Sequence, residues 1–350
     1  MDDPNSNVSR LLRQQKSFRM HAELETDPGF HYIYGKTDDV ESAVAPVIAP
    51  AAGELRTRGV EPALQQHWDW KAAGNFICGG IGSGLFMFSA IAGTRYDEVA
   101  ILGWPALACI ALGLFLVLLK IGRPLRFAYV LRQPQRSWMT REAWIAFVFF
   151  PLAALALVSG EPVLLIGAAV LAGLFLYSQA MILKEAKAIA AWRIAWIVPL
   201  VVATGIAEGS GLFLAAIAQL STPPPLVRGI ATVTIVFAAF RAWVWRSYLT
   251  ALVAEGAPTR TLSVLREYKL WFAAAGFVLP VALIITGLMA RPAAAALFAI
   301  AGFCVTVSGG VLKFILVTRA GFNQGFALIH TPARGSSNVG PAVKPGWSIS

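Results

Sequence analysis

One basic stretch of the chain contains the residues with the clearest chemical potential. Residues 119–143 read LKIGRPLRFAYVLRQPQRSWMTREA and lie between two apolar runs. We expect Lys120 and Arg126 at a membrane surface, facing Glu142 at the start of the next apolar run, with Arg141 beside it. Such a cluster supplies donors for two carbonyl oxygens and a carboxylate that moves protons, next to an apolar groove. A quinone headgroup needs these groups, so the four residues form the predicted quinone site, with Glu142 as its catalytic, proton-transferring residue.

Two further charged residues lie inside apolar runs. Glu208 and Arg241 are each about twelve residues from the outer end of their predicted helices, so a rise of ~1.5 Å per residue places them at similar depth. An unpaired charge there costs at least ~2.5 kcal/mol. We expect the two to pair or to line a wet cavity. They are either an ion pair that fixes helix packing, or an intramembrane proton path or substrate contact.

The histidines and cysteines argue against a metal centre in this chain. His21, His31, His67 and His330 all lie outside the apolar runs, whereas a b-type haem in a helical bundle takes a histidine from each of two helices. The three cysteines fall on three different predicted helices without close spacing, and an iron–sulfur cluster needs about four thiolates. The sequence therefore predicts no haem, no iron–sulfur cluster and no metal ligand. The cysteines are interpreted as small apolar core residues.

The apolar runs themselves predict an all-α membrane protein. The 350 residues are 57% hydrophobic and only 14% charged, and a bilayer core requires roughly 20 apolar residues per helix. Lipid offers no partner to an open strand, so spanning segments are helices. The predicted domains are a polar extension (1–70), an eight-helix membrane domain (71–319) and a tail (320–350). The eight predicted spans are Asn75–Gly93, Ile101–Lys120, Trp144–Ser159, Val163–Ile182, Ile194–Leu220, Gly229–Leu249, Trp271–Ala290 and Ala295–Leu316.

The charges of the connections predict an orientation. Lysine and arginine concentrate in the second, fourth and sixth connections, whereas the odd-numbered connections are short and hold only Arg95, Arg228 and Arg291 as basic residues outside their helix ends. Positive loops stay on the cytoplasmic side, so both termini are predicted to be cytoplasmic. The formal charge of +10 then belongs to this asymmetry and to anionic lipid headgroups. Nucleic acid is not needed to explain it.

A short sequence match indicates an internal repeat. The string GSGLF occurs at 82–86 and again at 209–213, which is 127 residues or four helices later. An even number of helices per repeat gives both halves the same orientation, so the sequence predicts two parallel four-helix repeats. Gly84 in the first string forms a G-x-x-x-G pair with Gly80, which precedes the string. Inside an apolar helix such a pair favours close helix packing over phosphate binding.

Two motifs in the basic stretch resemble a known family. The patterns [HK]-[LI]-G-x-P-x-R and S-x-[ML]-[ST]-x-E read here Lys120-Ile-Gly-Arg-Pro-Leu-Arg126 and Ser137-Trp-Met-Thr-Arg-Glu142. They are similar to the NrfD/DmsC-like membrane anchor subunits of polysulfide reductase and DMSO reductase. The resemblance covers about residues 65–320, and the eight helices and absent haem ligands agree with it. In the DMSO-reductase anchors a histidine opens the first motif, whereas this chain has Lys120, which donates hydrogen bonds but accepts protons poorly.

The resemblance implies a function for the predicted site. Anchors of this type bind menaquinone or ubiquinone and exchange electrons with a ferredoxin-like subunit that carries four [4Fe–4S] clusters. That subunit connects to a molybdopterin catalytic subunit. The resemblance therefore implies an anchor and quinone-reactive subunit of an oxidoreductase complex in the bacterial inner membrane.

The first segment of the chain narrows the resemblance. Residues 29–39 (GFHYIYGKTDD) resemble extensions of anchors from the phenylacetyl-CoA:acceptor oxidoreductase type. A CoA thioester is a cytoplasmic substrate, which agrees with the predicted orientation. A cytoplasmic sulfite dehydrogenase anchor is the close alternative.

Two other classes of function stay open on the sequence. A secondary transporter or proton channel built from parallel repeats predicts broken helices at matching mid-membrane positions. Pro199 and Pro280 are candidates in the second half, but Pro105 and Pro151 in the first half do not match them. A scaffold without a quinone site is the third class.

Overall fold

Eight long apolar helices make up most of the described part of the chain. The computed structural model describes residues 59–60, 62–120, 131–132, 134–289 and 293–327. Most of the predicted extension and tail lies outside these residues, as does Arg126. The helices long and apolar enough to cross a membrane are α1 (Trp70–Gly93), α2 (Asp97–Leu118), α3 (Trp138–Ser159), α4 (Pro162–Glu185), α5 (Ile197–Ile217), α6 (Pro224–Ala254), α7 (Lys269–Met289) and α8 (Ala294–Thr318). The predicted all-α membrane fold is confirmed.

Several helices differ from the predicted spans, because capping residues set where two of them begin and because two others are interrupted. Asp69 caps α1 by accepting hydrogen bonds from the backbone N–H groups of Lys71 (3.1 Å) and Ala72 (3.3 Å), so α1 begins at Trp70. Ser137 caps α3 in the same way, so α3 begins at Trp138, six residues before the predicted start. α2 and α7 are interrupted, α2 after Ala100 and α7 by a π-helical turn at Ala274–Val278. Shorter helices at Ala190–Arg193 and Thr259–Glu267 lie in the connections.

The ends of the described chain meet beside the bundle. Strands β1 (Gly59–Val60) and β2 (Phe326–Ala327) pair antiparallel, with Gly59 opposite Ala327. The backbone N–H of Gln65 donates to Gly321 at 3.0 Å. These contacts join the segment before α1 to the segment after α8.

Helices α1 and α5 are central. Each contacts the other, and both contact α4 and α8. Glycines permit the α1–α5 contact, since a Cβ on Gly84 would lie 2.2 Å from the carbonyl oxygen of Gly205. The pairs α1–α2, α3–α4 and α1–α4 recur as α5–α6, α7–α8 and α5–α8. Two parallel repeats require this recurrence, and the repeat itself stays a prediction.

Two apolar clusters fill the bundle. One contains Trp192 and Tyr248, and the other contains Phe86, Phe149 and Phe213. The described charged side chains that are buried number four: Glu142, Glu208, Arg241 and Lys313. A buried charge is expensive unless it is paired or hydrogen-bonded, so these four are the places to look for function.

Candidate functional site

A groove of about 530 Å³ opens between the start of α3 and the last turns of α4. Trp144, Leu174 and Tyr177 on its walls are each more than a third exposed, so it opens sideways, toward the lipid. Pockets of this size hold a ring-sized ligand. The lining residues are Pro134, Trp138, Arg141, Trp144, Ile145, Leu174, Tyr177 and Ser178.

Arg141 is the cation of the groove. Its guanidinium lies 4.2 Å from the centre of the Trp138 ring. Its Nε donates to the carbonyl of Pro134 at 2.8 Å, and its Nη2 donates to that of Gln135 at 2.9 Å. Trp138 also meets Tyr177 edge to face, with ring centres 5.7 Å apart. The groove is therefore an apolar, aromatic-lined site with a fixed positive charge at its edge, which suits a planar ligand that carries carbonyl oxygens.

Glu142 lies directly behind the wall of this groove. It follows Arg141 on α3, turns into the bundle and is only 7% exposed. The side-chain amides of Gln179 on α4 and Asn75 on α1 face its carboxyl group. Gln179 also donates to the backbone carbonyl of Asn75 at 3.2 Å. Neither amide was among the residues predicted from the sequence, although each is a polar residue inside an apolar run.

Buried acceptors without donors surround Glu142. Among the described residues, Glu142 Oε1, Gln179 Oε1 and Asn75 Oδ1 are buried and accept no hydrogen bond. A buried acceptor without a donor costs free energy. A protonated Glu142 carries an O–H group, and a carboxylate carries none. The arrangement is therefore suited to a carboxyl group that gains and loses a proton.

Lys120 does not meet Glu142, which corrects the predicted cluster. The Lys120 ammonium donates to the backbone carbonyl of His67 and lies 3.6 Å from the carboxylate of Asp69. The reason is the direction of the chain, because Lys120 leaves α2 beside the start of α1 while α3 turns Glu142 inward. Arg126 lies outside the described residues. Of the four predicted quinone ligands, Arg141 lines the groove and Glu142 lies behind it.

Lys120 is therefore expected to contribute to stability rather than to quinone chemistry. Replacing Lys120 with methionine should lower the free energy of unfolding by less than about 1 kcal/mol, because the ion pair is half-exposed. Quinone-dependent turnover should stay within about twofold of the wild type. A tenfold loss would require the activation free energy to rise by about 1.4 kcal/mol. Thermal unfolding and a turnover assay of the purified complex measure the two effects. A turnover loss beyond tenfold at unchanged stability would return Lys120 to the quinone site.

Asp69, the ion-pair partner of Lys120, provides a second test of this contact. Burial raises the pKa of Asp69, but the backbone N–H of Ala72 and the Lys120 ammonium outweigh it and hold the pKa below its usual 3.8. The stabilisation is therefore complete above that value and is lost only as the pH falls below it. Asp69→Ala should cost about 1 kcal/mol through loss of the cap. Asp69→Asn keeps a capping side chain and should cost less, so equal losses would contradict this capping role.

The second buried group pairs Glu208 with a residue the sequence analysis missed. The Lys313 ammonium on α8 donates to Glu208 Oε2 at 2.5 Å, with Lys313 2% exposed and Glu208 fully buried. The missing side chain of Gly80 makes room, since a Cβ there would lie 3.0 Å from Glu208 Oε2 and even closer to the ammonium. The sequence did contain a signal for this residue, because a lysine inside the last apolar run requires a polar partner. Side chains of a helix point toward its N-terminus, which carries Lys313 toward mid-membrane.

Arg241 does not form the predicted direct ion pair with Glu208. It lies within electrostatic range of that carboxylate, but its hydrogen bonds go to α7 and α8. Nη1 donates to the carbonyl of Val305 at 2.9 Å, while Nη2 donates to that of Gly276 at 2.5 Å and to Ser308 Oγ at 3.0 Å. Gly276 belongs to the π-helical turn, where a displaced backbone carbonyl can accept a side-chain donor. Arg241 thus joins three helices.

The described residues contain no group of three or more histidine, cysteine, aspartate or glutamate side chains placed to hold a metal ion. A family sequence model described as "Polysulphide reductase, NrfD" matches residues 61–261. The matched range includes α1 to α6 and therefore the groove, Glu142 and Glu208, while Lys313 lies beyond it. No curated protein matches the chain. Because the match covers more than half of its length, the chain belongs to the NrfD family, membrane subunits of molybdoenzyme-type reductase complexes.

Proposed function

We propose that this chain is the quinone-reactive membrane anchor of a molybdopterin and iron–sulfur oxidoreductase complex. The observation that carries this proposal is the groove beside Arg141, with Glu142 behind its wall. A menaquinone or ubiquinone enters from the lipid, and its headgroup stacks among Trp138, Trp144 and Tyr177. The Arg141 guanidinium attracts the headgroup carbonyl oxygens.

Proton transfer in this proposal belongs to Glu142. Ser178 lines the groove and is followed on α4 by Gln179, which faces Glu142. In this proposal the proton crosses the wall of the groove between the carboxyl group and the headgroup. Quinone reduction takes up two protons with two electrons, and quinol oxidation releases them along the same route.

A comparison of the two halves supports the first half as the quinone site. Leu265, Tyr268, Trp271 and Phe272 follow Trp138, Arg141, Trp144 and Ile145 by the same 127 residues as the repeated GSGLF string. These later residues line a cavity of only about 10 Å³ against α8. That volume suffices for about one water molecule. These four side chains of the second half therefore pack closely against α8, whereas their counterparts in the first half leave a groove open beside α4.

The partners in this proposal are a ferredoxin-like subunit with four [4Fe–4S] clusters and a molybdopterin catalytic subunit. Electrons must tunnel between the nearest cluster and the quinone, and the groove lies at the end of the bundle where α3 begins and α4 ends. The positive connections favour the cytoplasmic side for that end and for both termini of the chain, in a bacterial inner membrane. The proposed complex is of the phenylacetyl-CoA oxidoreductase type or the sulfite dehydrogenase type.

The described helices give less support to a transporter or proton channel. That alternative predicts matching breaks in both halves. The π-helical turn interrupts α7, whereas its counterpart α3 stays α-helical from Trp138 to Ser159, although Pro151 lies inside α3 and not at its start as predicted. The charges at Glu208 and Lys313 lie between two apolar clusters. A proton path through Glu208 and Arg241 stays a prediction, with Lys313 added as the direct partner of Glu208.

Narrowing the groove tests the proposed function. Leu174 lines the groove and is 45% exposed, so tryptophan fits there without disturbing the core. Leu174→Trp should lower quinone-dependent turnover at least about tenfold, equivalent to about 1.4 kcal/mol of lost transition-state stabilisation. Reduction of an artificial dye by the soluble subunits should not change. Both rates are measured on the purified complex.

A matched variant controls for the added bulk. Ile166 lies two turns away on the same face of α4, is 43% exposed and does not line the groove. Ile166→Trp should leave both activities intact. Full quinone turnover in Leu174→Trp, or equal losses in both variants, would place the quinone elsewhere.

A further inference from the structure

Two cysteines that are distant in the sequence lie together in the bundle. Cys78 is on α1 and Cys109 is on α2, and the Cys109 thiol donates to the Cys78 carbonyl at 3.4 Å. The two thiols also interact with each other. Both are free and partly exposed. This contact corrects the expectation of isolated core cysteines, because helix pairing joins residues that 31 positions of chain separate.

Glycines bring the two helices close enough for a covalent bond. A Cβ on Gly113 of α2 would lie 3.1 Å from Cys78 Cβ. A Cβ on Gly82 of α1 would lie 2.7 Å from the carbonyl of Ala106. The backbones of α1 and α2 are therefore in contact on both sides of the cysteine pair. A disulfide requires Cα atoms within about 7 Å, and the contact of the Cys109 thiol with the Cys78 backbone brings the two residues to neighbouring positions.

We propose that Cys78 and Cys109 form a reversible thiol–disulfide couple that a lipid-soluble quinone oxidises. Two S–H bonds break and one S–S bond forms. The two electrons and two protons that are released convert one quinone to its quinol, and a dithiol reductant reverses the step. The oxidant is the same quinone that the proposed function assigns to the groove, and the inference rests on the proposed function only for the identity of this oxidant.

The position of the pair connects it to the quinone site. Asn75, which faces Glu142, lies one turn before Cys78 on α1. Its Oδ1 lies 3.2 Å from the Cβ that Gly113 lacks, so Asn75, Cys78 and Gly113 are neighbours. Because α1 and α2 are already in contact, the S–S bond can form only if neighbouring side chains shift, and we expect this shift to displace Asn75 from Glu142. Oxidation of the pair is therefore expected to slow quinone turnover when the quinone pool is oxidised.

Differential alkylation of the purified complex tests the proposal. The complex is incubated with decylubiquinone or with the thiol oxidant diamide, alkylated, and analysed by peptide mass spectrometry. Cys78 and Cys109 should lose alkylation together and appear as one cross-linked peptide pair, and dithiothreitol should reverse the change. Cys304 on α8 is also free and partly exposed, and it serves as the internal control that stays alkylated. Turnover should fall several-fold on oxidation and recover on reduction.

Single substitutions separate the outcomes. Cys109→Ser should keep the basal quinone turnover and remove both the cross-link and the oxidative slowing, whereas Cys304→Ser should change neither. Alkylation of Cys78 and Cys109 to the same extent as Cys304 after both oxidants would overturn the proposal. A cross-link with diamide but none with decylubiquinone would overturn quinone as the oxidant, while Leu174→Trp tests the quinone groove independently. A cross-link without any change in turnover would overturn the connection to Glu142.

Discussion

Replacing Glu142 with glutamine is expected to lower quinone-dependent turnover by at least about 100-fold, the lower end of what a positioned proton-transfer group contributes. Glutamine keeps the size of the side chain and can still hydrogen-bond to Gln179 and Asn75. It cannot take up or release a proton. The complex should therefore assemble and keep its dye-linked activity while losing turnover with quinone. Steady-state assays with a quinone and with an artificial dye, on the same preparation, measure both.

Two further variants sharpen this experiment. Glu142→Asp keeps the carboxyl group on a shorter side chain and should retain more turnover than Glu142→Gln. Glu208→Gln should reduce assembly, since removing one partner of a buried ion pair costs about 3–5 kcal/mol and leaves Lys313 unpaired. Full quinone activity in Glu142→Gln, together with an assembled but inactive Glu208→Gln, would place the quinone site in the second half of the protein.

Adding one methyl group at the crossing of α1 and α5 is expected to prevent folding of the subunit. A Cβ on Gly84 would lie 2.2 Å from the carbonyl oxygen of Gly205, and one on Gly209 would lie 2.1 Å from the carbonyl carbon of Gly84. Both contacts are with backbone, so only separation of the two helices relieves them. We expect Gly84→Ala and Gly209→Ala each to cost at least about 3 kcal/mol, the upper end of ordinary overpacking.

The measurement is the amount and thermal stability of assembled complex in detergent. Gly229 on α6 provides the control, because nothing lies within 4 Å of the Cβ that alanine would add there. Gly229→Ala should be neutral or stabilising by up to about 1 kcal/mol, since glycine weakens a helix interior relative to alanine. Unchanged assembly and melting temperature in Gly84→Ala would contradict the close crossing.

The class of fold and the family could be predicted from the sequence alone. Eight apolar runs of bilayer length leave no alternative to helices, because lipid cannot satisfy open backbone groups. The motifs at 120–126 and 137–142 were sufficient to indicate the family, and the glycines of α1 indicated close packing. These properties follow from short-range patterns, which composition and spacing record directly.

The contacts between side chains of different helices could not be predicted from the sequence and follow from the packing of the bundle. A helix that is apolar on most of its surface carries little information about its rotation, so the sequence could not orient Glu142 toward Asn75 and Gln179 or send Lys120 to Asp69. Glu208 and Lys313 are 105 residues apart in the chain, and their contact depends on the space above Gly80. Four residues that line the open groove at the start of α3 match, by the 127-residue offset, four residues that line the small cavity in the second half, but the facing residues on α4 and α8 do not match. Their difference arises from how the side chains of neighbouring helices pack, and no local pattern contains that information.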